Sequence, residues 1–401
     1  MSSQYQVGDV IDVRVEKIVP RGFGLAFAKK LTVLVPLAAP GDELRVRIQE
    51  IKKRLAFAEI VDVTKPGDQR IAPPCVYFGS CGGCDFQQLD YPAQLAAKVG
   101  IIRDCLRRIS RIEYESEIEI IPSPHPFAYR SRARWHIDRD RRAVGYFRRD
   151  SHEVIDVHSC PILTPGLGSA LEYVRESMEW DTLLGAQAEI EAASGEEGHV
   201  SIASRSRTQP AAELSFAVNG ETYQFSAEVF FQANKFLIGE LIAAALGDAS
   251  GNMAFDLYCG VGLFSLPLGR RFSNVVAVEE NPAAVAFAKR NVANAGLDNV
   301  KVACKSVDRF LSDNKTQKIG LVLIDPPRAG TEKQTIHAIA ELRPAQISYV
   351  SCEPSILARD LRILLDAGYT IDKMTALDLF PQTHHVETVV RLSQLAKPTA
   401  N

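Results

Sequence analysis

Short runs in which hydrophobic and polar residues alternate fill the first sixty residues of the chain. Alternation with period two is the pattern of half-buried strands, and no helical periodicity interrupts it here. We therefore predict a small OB-like five-stranded β-barrel over residues 1–62, a fold that often binds oligonucleotides. The strand-like runs, separated by glycine and proline turns, read VGDVIDVRVEKIV, GFGLAFA, LTVLVPLAAPGDELRVRIQEI and LAFAEIVDV.

The pattern changes after a linker rich in proline and glycine, residues 64–75. Residues 93–110 then place apolar side chains on one face of a helix, which we expect to pack on the C-terminal domain. Residues 118–225 are rich in strand-like runs, except for a more helical stretch at residues 163–190. We predict a β-rich central domain over residues 63–225. Its strand candidates read ARWHID, AVGYF, EVIDV, HVSIAS, ELSFAV and YQFSA.

Strands and helices alternate regularly from about residue 250 to the end of the chain. This rhythm predicts a doubly wound, Rossmann-like α/β domain over residues 226–401, with its functional site at the carboxyl ends of parallel strands. The loop between the last two strands is too short for a crossover, so we expect that pair to be antiparallel. The five parallel candidates read MAFDLYC, NVVAVEE, VKVACKS, IGLVLIDP and QISYVSC.

Composition and charge place the chain among soluble globular proteins. Of its 401 residues, 46% are hydrophobic and 24% are charged, and the formal net charge is −3. The first residues lack the pattern of a signal peptide, and no apolar run is long enough to span a membrane. We therefore expect a cytoplasmic protein, most simply a monomer, with no membrane partner.

One local charge excess stands out against this balance. Residues 130–149 carry eight arginines against two aspartates, with Trp135, Tyr146 and Phe147 among them. Such a stretch is either a solvated strand face or a surface that pairs with phosphates and stacks on bases.

Four cysteines form the candidate metal site. Cys75, Cys81 and Cys84 lie close together, and Cys160 follows in the run DVHSCPIL. Four thiolates suit either Zn²⁺ or an iron–sulfur cluster. Structural zinc usually uses two Cys-x-x-Cys pairs, and this chain has one, so the spacing favours a [4Fe–4S] cluster, with zinc as the alternative. His158 is a further alternative ligand.

The run DLYCGVGLFSLPLG, residues 256–269, indicates a cofactor loop between a strand and a helix. Gly260 and Gly262 allow the backbone to approach a ligand at a helix N-terminus. Glu279 ends the next strand, where a carboxylate can accept hydrogen bonds from both ribose hydroxyls of a nucleoside. The combination favours S-adenosylmethionine over NAD, because nothing else in the chain suits hydride transfer. The alternative is an ordinary turn with a surface acid.

The run IDPPRAG, residues 324–330, follows the fourth parallel strand. Its two prolines fix the backbone, so Asp325 is expected to face the crevice at the switch point of the sheet. Class I methyltransferases shape the pocket for a flat base at this place. Methylases of amino groups tend to carry an aromatic residue after the prolines, whereas this chain has Arg328. The reaction of an exocyclic nitrogen is therefore disfavoured.

Cys352, at the end of the fifth strand, and Glu387 are predicted to meet at the same rim. Carbon 5 of uracil is too weak a nucleophile to take a methyl group from a sulfonium directly. A thiolate that adds at carbon 6 activates carbon 5, and a carboxylate can then remove the carbon 5 proton. Taken alone, a cysteine after a strand is more often a buried packing thiol, and only the accompanying motifs favour the nucleophile.

These motifs together resemble the RNA uracil-C5 methyltransferase family over nearly the whole chain. The family combines an N-terminal TRAM barrel, a central domain and a class I methyltransferase domain. The most specific motifs read, in chain order, CGGCDFQQL, FFQAN, DLYCGVGLFSL, IDPPRAG, SCEPSILARD and HHVETV.

The resemblance implies a role for each matching residue. Cys352 would be the nucleophile and Glu387 the general base. Cys75, Cys81, Cys84 and Cys160 would hold a [4Fe–4S] cluster. The pocket for S-adenosylmethionine and the base would be lined by Gln232, Tyr258, Gly260, Gly262, Glu279 and Asp325.

Three positions depart from the family pattern: Glu353 stands where asparagine is usual, Ile356 replaces threonine, and Leu263 replaces asparagine. A carboxylate that faced Cys352 would raise the pKa of the thiol, so we expect Glu353 to point away. Leu263 removes one possible hydrogen bond to the cofactor.

The expected substrate is a uridine outside a stable RNA duplex, because stacking shields carbons 5 and 6. The barrel and the arginine-rich segment would bind the RNA. Barrel and cluster together are the pattern of the family's 23S ribosomal RNA enzymes, so ribosomal RNA is favoured over the T-loop of transfer RNA. Cytosine-C5 methylation, and an RNA-binding scaffold with a decayed active site, are the remaining alternatives.

Overall fold

The computed structural model describes residues 5–180, 187–204, 210–314 and 318–395. The strands are Val10–Val19 (β1), Phe23–Ala28 (β2), Leu31–Val35 (β3), Glu43–Lys52 (β4), Leu55–Lys65 (β5), Glu119–Ile121 (β6), Arg132–Asp138 (β7), Ala143–Phe147 (β8), Val154–Asp156 (β9), Gln187–Ser194 (β10), Val200–Ser204 (β11), Leu214–Val218 (β12), Glu221–Phe225 (β13), Gly251–Leu257 (β14), Phe272–Glu279 (β15), Val300–Cys304 (β16), Leu321–Ile324 (β17), Gln346–Ser351 (β18), Tyr369–Leu377 (β19) and Glu387–Gln394 (β20). The α-helices are Tyr91–Cys105 (α1), Pro165–Glu176 (α2), Ile238–Leu246 (α3), Ser265–Gly269 (α4), Pro282–Asn294 (α5), Val307–Asp313 (α6), Lys333–Leu342 (α7) and Pro354–Asp366 (α8).

The first five strands close into a barrel in the order β1-β2-β3-β5-β4. Alternate side chains point inward, so that Val33, Val46 and Ile48 are fully buried. Their neighbours along β4, such as Arg45 and Arg47, face solvent. The period-two pattern therefore places an apolar core inside a small barrel, and the predicted barrel is confirmed.

A second sheet, in the order β11-β10-β7-β8-β9, forms the centre of the molecule, and α2 packs on it. The helical prediction for residues 163–190 is correct for α2 and wrong from Gln187, where β10 begins; residues 181–186 lie outside the described residues. The sequence of β10, QAEIEAAS, is rich in alanine and glutamate. It becomes a strand because β7 and β11 pair with it on both sides, which outweighs its weak intrinsic preference.

The C-terminal region forms an eight-stranded sheet in the order β16-β15-β14-β17-β18-β20-β19-β6. The first five strands are parallel, and the order reverses between β14 and β17. Strand β20 is antiparallel to both β18 and β19, which confirms the predicted antiparallel pair. The edge strand β6 comes from residues 119–121, before the central sheet, and runs parallel to β19.

Helix α1 connects the barrel with the C-terminal region, because it contacts strand β1 of the barrel and helix α8 of the C-terminal region. Its Lys98 is completely buried and forms an ion pair with Asp378, which is also completely buried. Lys98 Nζ also donates to the carbonyl of Phe380 (2.9 Å), and Tyr91 donates to the second oxygen of Asp378 (2.8 Å). The network fixes the start of the loop between β19 and β20.

No helix in the described ranges is long and apolar enough to cross a membrane.

We predict that Lys98→Met lowers the free energy of unfolding by about 3–5 kcal/mol, because it leaves the Asp378 carboxylate buried without its charged partner. The ion pair Arg362–Asp366 on the exposed side of α8 provides the control, and Arg362→Met is expected to change stability little. Denaturant unfolding of both variants measures the difference. Equal stability of the two variants would contradict the role assigned to the buried pair.

Candidate active site

The two predicted catalytic side chains lie side by side at the carboxyl edge of the large sheet. Cys352 directly follows β18, and Glu387 is the first residue of β20. The antiparallel register places Ser351 opposite Thr388, so Cys352 and Glu387 come next to each other. Asp325 follows the neighbouring strand β17, and its charge acts on both groups.

Burial and like charges favour the uncharged forms of both side chains. Burial raises the pKa of Cys352 to about 12, and the nearby Glu387 carboxylate adds to this effect. Burial also raises the pKa of Glu387 well above its ordinary value, with a further contribution from Asp325. A buried anion in this place is costly unless a positive charge compensates it.

Arg328 is the positive charge that opposes these shifts. It lowers the pKa of both Cys352 and Glu387, and its guanidinium lies 5.5 Å from the ring centre of Phe380. The sequence pointed to Arg328 only as the residue that replaces an aromatic one. The available signal was its place three residues after Asp325, in a turn fixed by two prolines.

The predicted cofactor loop surrounds the carboxyl end of β14. Tyr258, Gly260 and Gly262 all have positive φ angles, of 64°, 54° and 95°, so the chain turns sharply after the strand. Glu279 lies beside this turn, and its two oxygens accept hydrogen bonds from the backbone N–H groups of Gly260 (3.0 Å) and Asn281 (2.8 Å). The structure therefore brings Glu279 to the glycine turn, as the sequence predicted.

Asp256, the penultimate residue of β14, is an additional buried acid below the loop. One carboxylate oxygen accepts a hydrogen bond from Ser265 Oγ (2.5 Å), and the other is buried without a partner among the described residues. Burial raises the pKa of Asp256 to about 7, and burial together with Asp256 raises that of Asp325 to about 7. A cationic or hydrogen-bonding ligand would satisfy this group of acids.

Gln232 makes its hydrogen bond with the segment before β7 and not with the other predicted pocket residues. It is buried, and its carbonyl accepts a hydrogen bond from Ser131 Oγ (3.4 Å) in the segment before β7. No hydrogen bond within the described part of the chain joins it to Cys352 or Asp325. Tyr258, in contrast, bonds through its hydroxyl to Thr331 (2.8 Å), beyond the Asp-Pro-Pro turn.

The four predicted metal-ligating thiols line one cavity of about 120 Å³. Burial raises the pKa of Cys84 to about 12, and it also raises those of Cys81 and Cys160. Among the described residues, no three Cys, His, Asp or Glu side chains converge closely enough to hold a single metal ion. His158 is not part of the lining, and its ring contacts Asp156 instead (3.1 Å).

The expected base-stacking role of Trp135 is wrong. Trp135 is completely buried on the inner face of β7, and its indole N–H donates to the hydroxyl of Tyr146 (3.2 Å). Several arginines of this segment are also engaged within the protein, for example Arg134 with Glu191 (2.5 Å). Alternation along a strand buries every second residue, so an aromatic residue among arginines can be a core residue.

Two of the three departures from the family pattern serve local packing. Glu353 is the N-cap of α8, and its carboxylate accepts hydrogen bonds from the backbone N–H (3.3 Å) and the hydroxyl (2.7 Å) of Ser355. Its effect on the pKa of Cys352 is correspondingly the weakest of those that act on this thiol. Leu263 is a buried core residue whose carbonyl accepts a hydrogen bond from Tyr223 (3.0 Å).

Comparison with known families yields two matches along the chain. The family described as TRAM domain matches residues 4–61, the barrel. The family described as tRNA (Uracil-5-)-methyltransferase matches residues 211–395, which include the cofactor loop, Cys352 and Glu387.

Similar proteins match over almost their full length. The 23S rRNA (uracil(1939)-C(5))-methyltransferase RlmD of Methylococcus capsulatus is 31% identical over 94% of this chain and 96% of its own. An uncharacterized RNA methyltransferase of Thermotoga maritima is 31% identical over 95% of this chain and 98% of its own.

One solved structure has a similar fold over almost the whole of this chain. The tRNA (uracil-54, C5)-methyltransferase of Pyrococcus abyssi, in complex with S-adenosyl-L-homocysteine, is 26% identical with a TM-score of 0.73. It aligns with 95% of this chain, and all of that chain is covered. The chain therefore belongs to the family of S-adenosylmethionine-dependent RNA uracil-C5 methyltransferases.

Proposed function

We propose that the protein methylates carbon 5 of one specific uridine in RNA, with Cys352 as nucleophile and Glu387 as general base. The observation that carries this proposal is the adjacency of a half-buried thiol and a buried carboxyl group at the carboxyl edge of the sheet. Together the two groups supply the two functions that uracil C5 chemistry needs.

The proposed reaction balances through these two side chains. Cys352 attacks as the thiolate: its Sγ forms a bond to carbon 6, and the ring electrons move onto carbon 5 and the carbonyl oxygen. S-adenosylmethionine supplies, when bound, a methyl group on a positively charged sulfonium, and S-adenosylhomocysteine is the leaving group. After carbon 5 has taken the methyl group, the Glu387 carboxylate accepts the carbon 5 proton. The bond between carbon 6 and sulfur then breaks, which restores the double bond of the ring and releases the thiolate.

Arg328 is proposed to activate the thiol. Burial raises the pKa of Cys352 to about 12, so the thiolate fraction is small at neutral pH unless a positive charge compensates. The guanidinium lowers this pKa and favours the anion that attacks carbon 6. Arg328 also lowers the pKa of Glu387, which favours the carboxylate that accepts the carbon 5 proton.

The residues at the glycine turn fit the cofactor. Glu279 lies where it can accept hydrogen bonds from ribose hydroxyls, and the unpartnered oxygen of Asp256 favours a polar or cationic ligand. We assign Tyr258, Gly260, Gly262, Glu279 and Asp325 to this pocket. Gln232 is assigned to the uracil side of the pocket.

We propose that Cys75, Cys81, Cys84 and Cys160 hold a [4Fe–4S] cluster. The four thiols line one cavity, which supports a shared ligand. Structural zinc usually uses two Cys-x-x-Cys pairs, and this chain has one, whereas a cluster offers each of four thiolates its own iron.

The proposed RNA is 23S ribosomal RNA. The support is the full-length similarity to relatives named as 23S rRNA methyltransferases, together with the N-terminal barrel. The solved structure of a tRNA methyltransferase makes the T-loop of transfer RNA the second candidate. The domain limits 1–62, 63–225 and 226–401, the monomeric state and the cytoplasmic location stay predictions.

We predict that wild-type protein with S-adenosylmethionine and 5-fluorouridine-containing 23S rRNA forms a stable covalent adduct, because fluorine cannot leave carbon 5 as a cation. Cys352→Ala should form none, and peptide mapping should place the RNA on Cys352. Cys304→Ala removes an exposed thiol at the end of β16 and should still be trapped. If wild type neither methylates RNA nor forms adduct, the chain is an RNA-binding scaffold instead.

We predict that Glu387→Gln stalls after methyl transfer, because the amide cannot accept the carbon 5 proton. Turnover should fall by about 10²–10⁴-fold, and methyl-labelled adduct should accumulate on denaturing gels. Glu353→Gln is the matched control, since its carboxylate is also near Cys352 but is bound to Ser355. Normal turnover of Glu387→Gln would remove Glu387 as the base. Mapping the methylated base separates uridine from cytosine products.

We predict that protein purified without oxygen is brown and contains about four iron and four sulfide per chain. Cys84→Ser should lose most of this iron, whereas Cys105→Ser, in helix α1, should retain it. Stoichiometric zinc in iron-free protein would show that the four thiols form a zinc site.

A further inference from the structure

The loop that leads into Glu387 is held from outside its own domain. We propose that Gln382, Asp85 and His384 are positioning residues for the general base, and we name these three residues the latch. The proposal rests on the proposed function, because it concerns the step in which Glu387 removes the carbon 5 proton. In this proposal, the segment directly after Cys84 holds the turn that precedes the general base Glu387.

Gln382 has a backbone conformation that needs external support. Its φ angle is +68°, in the left-handed region that non-glycine residues rarely adopt, and it is buried. Its carbonyl accepts hydrogen bonds from the backbone N–H groups of Asp85 (2.9 Å) and Phe86 (3.0 Å). Its own N–H donates to the side chain of Gln94 (3.0 Å). Such a conformation persists only where surrounding contacts enforce it.

The side chain of Gln382 extends the same connection. Its carbonyl oxygen accepts from Gln94 Nε2 (3.1 Å), and its amide donates to the carbonyl of Pro126 (3.3 Å). These partners all lie between residues 85 and 126, at least 256 residues earlier in the chain. The turn before β20 is thus shaped by the segment that begins directly after Cys84.

His384 makes the second connection to this segment. Its Nδ1 lies 2.7 Å from a carboxylate oxygen of Asp85, whose other oxygen accepts from Arg149 (2.9 Å). Arg149 also donates to the carbonyl of Cys84 (2.6 Å), so the thiol segment and Asp85 are held together. The His384 ring lies against His385, with the ring centres 4.2 Å apart, two residues before Glu387.

The latch therefore affects the two chemical steps unequally. Cys352 is positioned by β18 and α8, which the latch does not touch, so addition to carbon 6 depends little on it. Glu387 follows the latched turn directly, so a looser turn misplaces the base. A misplaced base slows proton removal and leaves the methylated RNA attached to Cys352. A small displacement of a catalytic group is enough to cost on the order of 10- to 100-fold in rate.

The test compares His384→Ala, Asp85→Ala and the double variant in the full chain. Each single change should lower turnover about tenfold and raise the fraction of protein trapped as methyl-labelled adduct, with the KM for RNA unchanged within about twofold. The double variant should be no worse than either single variant, because both remove the same contact. Asp85→Asn keeps a hydrogen-bond acceptor for His384 and should restore most of the turnover.

Two further measurements separate the latch from general destabilisation. Hydrogen exchange should accelerate at residues 378–386 in His384→Ala and remain unchanged in the barrel. Glu153→Gln breaks the exposed ion pairs with Arg141 and Arg148 and should leave the adduct fraction as in wild type. His384 is distant in sequence from the thiols, so its variant remains informative if Asp85→Ala loses its iron.

The outcomes distinguish the latch from the base assignment. If Glu387→Gln accumulates adduct but His384→Ala does not, the latch is refuted and Glu387 stands. A raised KM with unchanged turnover in His384→Ala also refutes it, because the residue then serves RNA binding. If Glu387→Gln itself accumulates none, the proposed role of Glu387 fails first.

Discussion

The buried ion pair between Lys98 and Asp378 determines where the active-site loop lies. Both side chains are completely removed from solvent, and the loop that follows Asp378 ends at Glu387. A buried pair of this kind adds little net stability compared with apolar residues, but it is costly to separate. Its effect is therefore to specify one position of the loop. Helix α1 thus fixes an element of the active site although it belongs to the sequence before the central sheet.

The active site concentrates buried acids around one thiol. Asp256, Asp325 and Glu387 all have raised pKa values because burial disfavours their charged forms. Arg328 lies at the exposed side of this group and acts on the thiol and on Glu387. A site of this composition is complementary to a positively charged ligand, since a cation stabilises buried carboxylates. The sulfonium of S-adenosylmethionine carries such a charge.

The sequence predicted the features that depend on local pattern and missed those that depend on distant contacts. Period-two alternation was sufficient for the barrel, and the strand ends were sufficient to bring Cys352 and Glu387 to one rim. The strand β10 was missed because its alanines and glutamates have no strand preference, and pairing with β7 and β11 decides its structure. The burial of Trp135 was missed because its neighbours Arg134 and His136 are polar and lie on the opposite, outward face.

The hydrogen bonds of Gln382 are a second example of contacts that local sequence pattern cannot predict. Residues 85 and 382 contain no motif that relates them, and only the folded chain places their backbones within 3 Å of each other. Arg328 is an intermediate case, since its position after two prolines was visible but its charge partners were not. Local patterns in the sequence were therefore sufficient to predict the reacting groups, Cys352 and Glu387. They were not sufficient to predict the residues that hold these groups in place.

Strand β6 has a consequence for the order in which the chain can fold during synthesis. It leaves the ribosome about 250 residues before its partner β19. Lys98 likewise precedes Asp378 by 280 residues. The barrel can fold early because its contacts are local, whereas the large sheet cannot be completed until β19 and β20 have been synthesised. The nascent chain must keep β6 and Lys98 without these partners until then, and Cys352 and Glu387 come together only once β20 has formed.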